Sequence, residues 1–129
     1  MDAIRHKKLE EQLREELSSL IISGGIKDPR VGPFVSLTRV EAASDLSAAK
    51  VFVSAFVIAD DSVDEEGRDA AERRRIDEAV AGLRHAAGFI QGQIGRKMRL
   101  RITPKLTFIA DHGIKEGFEL NERIKGLFP

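Results

Sequence analysis

The stretch Leu83-Arg84-His85-Ala86-Ala87-Gly88-Phe89-Ile90 decides how the second half of this chain is built. Before it, a helical pattern starting at about Arg68 places Ile76, Val80 and Leu83 on one side. After it, Phe89, Ile90, Ile94 and Met98 recur at helical spacing. A glycine inside a helix costs about 1 kcal/mol relative to alanine, so Gly82, Gly88, Gly92 and Gly95 are too many for one straight rod. The economical reading is two helices meeting at a break near Gly88, with Ala86-Ala87-Gly88 as the kink.

Towards the N-terminus, Leu9, Leu13, Leu17, Leu20 and Ile21 fall at steps of three and four among charged residues, the pattern of an amphipathic helix stopped by Gly24-Gly25. Lys27-Asp28-Pro29-Arg30 reads as a turn, because Pro29 disfavours helical geometry at Asp28. Residues 34–42 and 50–58 read as strands joined by Ser44-Asp45-Leu46-Ser47, an antiparallel hairpin. The second of them, KVFVSAFVI, is apolar on both faces, which predicts burial on both for part of its length. Residues 59–67 read as an acidic linker.

Towards the C-terminus, residues 100–109 read as a third strand, with Pro104 marking an edge or a bulge. In it Arg99 and Arg101 would alternate with Leu100 and Ile102 and share one exposed face. Ile114, Leu120, Ile124 and Leu127 suit a short helix in a C-terminal extension, 113–129. The resulting order, α-β-β-α-kink-α-β, is the α+β arrangement of a single type II KH-like domain over residues 1–129, a nucleic-acid-binding fold.

Composition narrows the function. The 21 basic and 21 acidic residues cancel, but they are unevenly placed. Residues 79–110 carry Arg84, Arg96, Lys97, Arg99, Arg101 and Lys105 and no acid, whereas residues 60–78 hold nine acids. A polyanion responds to local potential rather than to the total, so this chain offers a basic working surface with an acidic counterweight. There is no cysteine, which removes disulfides, thiolate metal sites and thiol nucleophiles. No secretory signal is visible, and no apolar run approaches the roughly 18 residues of a membrane span, so a cytoplasmic protein is expected. The seven phenylalanines are the only aromatics, and most of them read as core.

Several stretches together resemble the bacterial ribosome-binding factor A family over nearly the whole chain. They are Ile26-Lys27-Asp28-Pro29-Arg30-Val31-Gly32, Ser44-Asp45-Leu46 with Ala49-Lys50-Val51-Phe52-Val53-Ser54, and Ala87-Gly88-Phe89-Ile90. They continue with Gly95-Arg96-Lys97-Met98-Arg99-Leu100-Arg101 and Pro104-Lys105-Leu106-Thr107-Phe108. The resemblance implies a type II KH-like fold whose Gly-x-x-Gly loop is replaced by a kinked Ala-x-Gly turn. It also implies a non-enzymatic factor, important for growth in the cold, that binds the small (30S) ribosomal subunit and its RNA during late maturation and processing of the RNA 5′ end. Ribosomal proteins and an assembly GTPase are the further partners it suggests, for a monomer with no membrane contact and no cofactor. Where the family commonly has Pro-Glu-Leu, this chain has Pro104-Lys105-Leu106, which raises the local positive charge.

The expected RNA surface combines Ala86, Ala87 and Gly88 at the kink with Arg84, Arg96, Lys97, Arg99, Arg101 and Lys105, adjoined by Lys27 and Arg30. Like charges without interspersed acids repel one another unless an anion balances them. Gly92-Gln93-Ile94-Gly95 is a literal Gly-x-x-Gly, the loop that lets KH backbones approach phosphates. Gly88, Gly92 and Gly95 equally suit a small-residue face for close helix packing. Asp28 is expected to cap its own turn and Asp45 to shape the hairpin connection. His6, His85 and His112 are scattered without metal-ligand spacing, and neither a P-loop nor a nucleophile elbow is present, so enzymatic chemistry is not expected. A protein-interaction module, its basic face meeting an acidic partner, is the alternative.

Overall fold

The computed structural model describes residues 3–58 and 62–113. Helix α1 (Ala3–Ile22) is followed by strands β1 (Val35–Ala42) and β2 (Ala48–Ala55), helices α2 (Glu65–His85) and α3 (Ala87–Met98), and strand β3 (Lys105–Ala110). The sheet has the order β1-β2-β3: β1 and β2 form an antiparallel hairpin, and β3 joins β2 in parallel after the α2–α3 crossover. This is the α+β, type II KH-like arrangement that the order of sequence patterns predicts. The expected C-terminal helix lies outside the described residues.

One face of each strand builds the core. Val35, Leu37 and Val40 of β1, Ala49, Val51, Val53 and Ala55 of β2, and Leu106 and Phe108 of β3 pack with Leu13, Leu17 and Ile21 of α1, with Ile76, Ala79, Val80 and Leu83 of α2, and with Ile90 and Ile94 of α3. Burial on both faces of β2 is not what the structure shows. Lys50 is exposed and Phe52 and Ser54 are half-buried, because the described helices cover one side of the sheet. The aromatic expectation needs the same correction. Phe34, Phe56 and Phe89 are exposed, Phe52 lies beneath the Arg39 guanidinium 4.2 Å above its ring, and among the described phenylalanines only Phe108 belongs to the buried core. The described core is aliphatic apart from Phe108, and Phe34 and Phe56 pack on each other at the surface with ring centroids 4.9 Å apart.

Two further expectations are revised. Residues 65–67 are not linker but the first turn of α2, whose N-cap Asp64 accepts a 2.7 Å hydrogen bond from Gly67 N. Glu65 and Glu66 at its start and Arg84 and His85 at its end suit the helix dipole. Nor is α2 purely acidic, since it carries Arg68, Arg73, Arg74 and Arg75. The third strand begins at Lys105 rather than at Leu100. Lys105 pairs with Ala48, the first residue of β2, so residues 99–104 have no partner strand to lie against. Pro104 therefore sits just ahead of an edge strand, where its missing N–H costs no ladder bond.

Candidate nucleic-acid interface

The break between α2 and α3 is a single residue, Ala86, with φ −90° and ψ 5°. Its N–H still reaches Gly82 O at 3.1 Å, and α3 resumes as Ile90 N reaches Ala86 O at 2.9 Å. The helical ladder is thus carried across the break by Ala86 itself, while α3 starts without a side-chain cap. Gly88 follows on the outer side, where an added Cβ would meet no atom within 4 Å. Backbone at this point is open to an incoming ligand.

The turn containing Lys27 and Arg30 is seated against this break by Gly82. A Cβ at position 82 would lie 3.1 Å from Arg30 Cβ and 3.2 Å from Asp28 Oδ1, so only glycine admits the turn so closely. Asp28 organises the turn as expected. Its carboxylate accepts from Arg30 N at 2.9 Å, from Arg30 Nε at 3.0 Å and from Arg30 Nη2 at 2.7 Å, while its carbonyl accepts from Val31 N at 2.9 Å. The Arg30 side-chain and backbone donors hold the Asp28 carboxyl down at about 2. From the other side Arg75 Nη1 donates to Arg30 O at 2.6 Å. Arg30 is therefore spent largely on its own turn, whereas Lys27 is exposed and has no acidic partner among the described residues.

Arg84 sits on the last turn before the break, with its guanidinium turned inward. Nε and Nη2 donate to Phe108 O of β3 at 3.1 and 2.9 Å. That pair of bonds fixes the break against the edge strand, which makes Arg84 structural as well as cationic.

The other basic residues gather at the far end of α3, about 18 Å away for a 12-residue helix. Arg96, Arg99, Arg101 and Lys105 are exposed and have no acidic partner among the described residues. Lys97 pairs with Glu16 of α1 at 3.1 Å. The shared strand face expected for Arg99 and Arg101 does not exist. Arg99 is instead the C-cap of α3 in the left-handed conformation, φ 53° and ψ 42°, with its N–H on Arg96 O and the Leu100 N–H on Gly95 O. The Gly-x-x-Gly segment lies inside α3, so it forms no loop. Gly95 packs on Thr103, where a side chain would collide with Oγ1, while Gly92 is overlain by the Arg96 guanidinium. Close packing accounts for Gly95.

The structure thus brings Lys27, Arg30, Arg84, Ala86, Ala87 and Gly88 together at one end of α3. It places Arg96, Lys97, Arg99 and Arg101 at the other, with Lys105 at the start of β3, where Leu106 N donates to Gln91 Oε1 of α3 at 3.1 Å. Gly88 and Phe89, both exposed, begin the outer face that joins them. Sequence reasoning did not single out Gly82, whose signal is a glycine amid buried helical positions, or the exposure of Phe89. No three His, Asp or Glu side chains converge as metal ligands among the described residues. No described helix is long and apolar enough to cross a membrane.

A family model for ribosome-binding factor A matches residues 5–124. The chain belongs to the ribosome-binding factor A family. It is 39% identical to ribosome-binding factor A of Treponema denticola over 127 residues, covering 98% of this chain and 86% of that one. It is 40% identical to the protein of that name from Borreliella burgdorferi over 124 residues, 96% of this chain and 92% of that one. Among solved structures it is similar to a Thermotoga maritima ribosome-binding factor A studied in solution, with TM-score 0.63 and 28% identity over 88% of this chain and 93% of that one. It is also similar to Thermus thermophilus ribosome-binding factor A as fitted into a cryo-electron microscopy map of a 30S complex, with TM-score 0.54 and 27% identity over 79% of this chain and 90% of that one.

Proposed function

We propose that this protein binds the small (30S) ribosomal subunit as a non-enzymatic maturation factor, in the cytoplasm, holding subunit RNA during late assembly and processing of the RNA 5′ end. The observation that carries the reading is the outer side of α3. It starts at an open glycine beside the helix break and ends in Arg96, Arg99 and Arg101, none of which has an acidic partner among the described residues. Charges displayed in this way suit a phosphate backbone, and a bare backbone at Gly88 suits close approach. The fitting of the T. thermophilus relative into a 30S map supports the same partner. Binding would bias RNA conformation without any bond being made or broken.

Sedimentation with separated ribosomal subunits at two salt concentrations tests this. Comigration with the small subunit alone is expected. If Lys27, Arg96, Arg99, Arg101 and Lys105 meet phosphates, the slope of log K against log salt should be roughly −3.5 to −4.5. Failure to associate with immature or mature small subunits, or association indifferent to salt, would overturn the reading and favour a protein partner.

A further inference from the structure

Beside the helix break lies a cavity of about 230 Å³, lined by Gly25, Lys27, Asp28, His85, Ala86 and Phe89. It is smaller than the roughly 300–1,000 Å³ of sites for drug-sized ligands, so it suits one ring system rather than a large cofactor. One wall is Phe89, which is 50% exposed, although the next residue, Ile90, is wholly buried. Among the described residues Phe89 therefore turns part of its ring outward from a helix anchored by its neighbour, which suits it to stacking. The rim carries one cation and a hydrogen-bonding ring. Lys27 is exposed without an acidic partner among the described residues, and His85 is exposed at the end of α2. The acid present, Asp28, directs its carboxylate to Arg30 through three hydrogen bonds, so its charge is offset within its own turn.

A small cavity with an aromatic wall and a cation at its edge suits a ring that carries an anion, and within RNA that is an unpaired nucleotide. We infer that this cavity receives a single unpaired nucleobase, stacked on Phe89, with Lys27 holding the adjoining phosphate. The inference rests on the RNA-binding reading above and adds to it. The kink then captures a single-stranded segment, and Phe89 is a binding residue in its own right.

The test uses the full chain and a single-stranded RNA tetranucleotide carrying one 2-aminopurine, with the same tetranucleotide made abasic at that position as control. Binding to the unaltered protein should quench the 2-aminopurine, and the abasic probe should bind about tenfold more weakly. Phe89→Ala should lose about the same factor on the base-containing probe and leave the salt slope unchanged, since no charge is removed. Phe89→Tyr should restore binding. Equal affinity for both probes, or no effect of Phe89→Ala on either, would overturn the inference. Small-subunit association measured in parallel separates the two readings, because its persistence in that event leaves RNA binding standing and removes only the base slot. A Phe89→Ala chain that loses the subunit while still treating both probes alike would assign Phe89 to a protein contact, and would also overturn it.

Discussion

Gly82 and Val31 stand so close that a methyl group added at position 82 would lie 2.9 Å from Val31 Cγ2. Val31 is buried and β-branched, so it cannot swing aside. Gly82→Ala would gain about 1 kcal/mol of helix propensity but incur an overpacking cost of about 1–3 kcal/mol. We expect a net loss of about 1 kcal/mol in urea unfolding, together with weaker small-subunit association as the Lys27 turn moves off the break. A variant more stable than the parent would show that the turn adjusts freely.

Gly88→Ala is expected to do the opposite to stability. The site is helical and open, so the substitution should stabilise the fold by about 0.5–1 kcal/mol. Association should nevertheless fall if, as proposed, RNA backbone approaches at Gly88, because the new Cβ would stand in its way. Unfolding and sedimentation on the same variant check both halves, and undiminished association would place the RNA elsewhere on the surface.

The arginines should separate into two kinds. Arg84→Ala removes two bonds to Phe108 O and should lower stability by about 1–2 kcal/mol, discounted for the exposure of the side chain. Arg99→Glu with Arg101→Glu removes no side-chain hydrogen bond among the described residues, so stability should move by less than about 0.5 kcal/mol while small-subunit association is lost. Thermal unfolding and sedimentation distinguish the two patterns.

Acid should loosen the Lys27 turn. The Asp28 carboxyl is held at about 2 in the folded chain, below its ordinary value near 4 when unfolded. A depressed carboxyl contributes stability that is complete above the unfolded value and lost as pH falls through the folded one. Between about pH 4 and pH 2 the parent should therefore lose more thermal stability than Asp28→Asn, which carries no charge to titrate. Parallel curves for the two proteins would show that the Arg30 pairing adds nothing to stability.

The first helix, the hairpin and the break at Ala86 were legible because each is written in local periodicity and turn chemistry. What was not legible depends on partners distant in the chain. Met98-Arg99-Leu100-Arg101-Ile102 alternates like a strand, yet β2 starts at Ala48 and offers nothing to pair before Lys105. Ile102 is consequently 75% exposed. The apolar run in β2 reads as doubly buried because sequence does not reveal how many layers cover a sheet. Of the site residues, Lys27 and the kink were expected as neighbours and are neighbours. Their separation from the Arg96–Arg101 group by the length of α3, and the inward turn of Arg84, follow from packing that no local pattern records.

The parallel pairing of β3 with β2 has a kinetic consequence. These strands are separated in the chain by the whole of α2 and α3, so closing their ladder costs more loop entropy than closing the β1–β2 hairpin and is expected to be slow. Arg84 then ties the helix break to that last strand. The end of α3 that we propose faces RNA is therefore tied to the least local pairing of the sheet, and a newly made chain has that end in place only once β3 has joined β2.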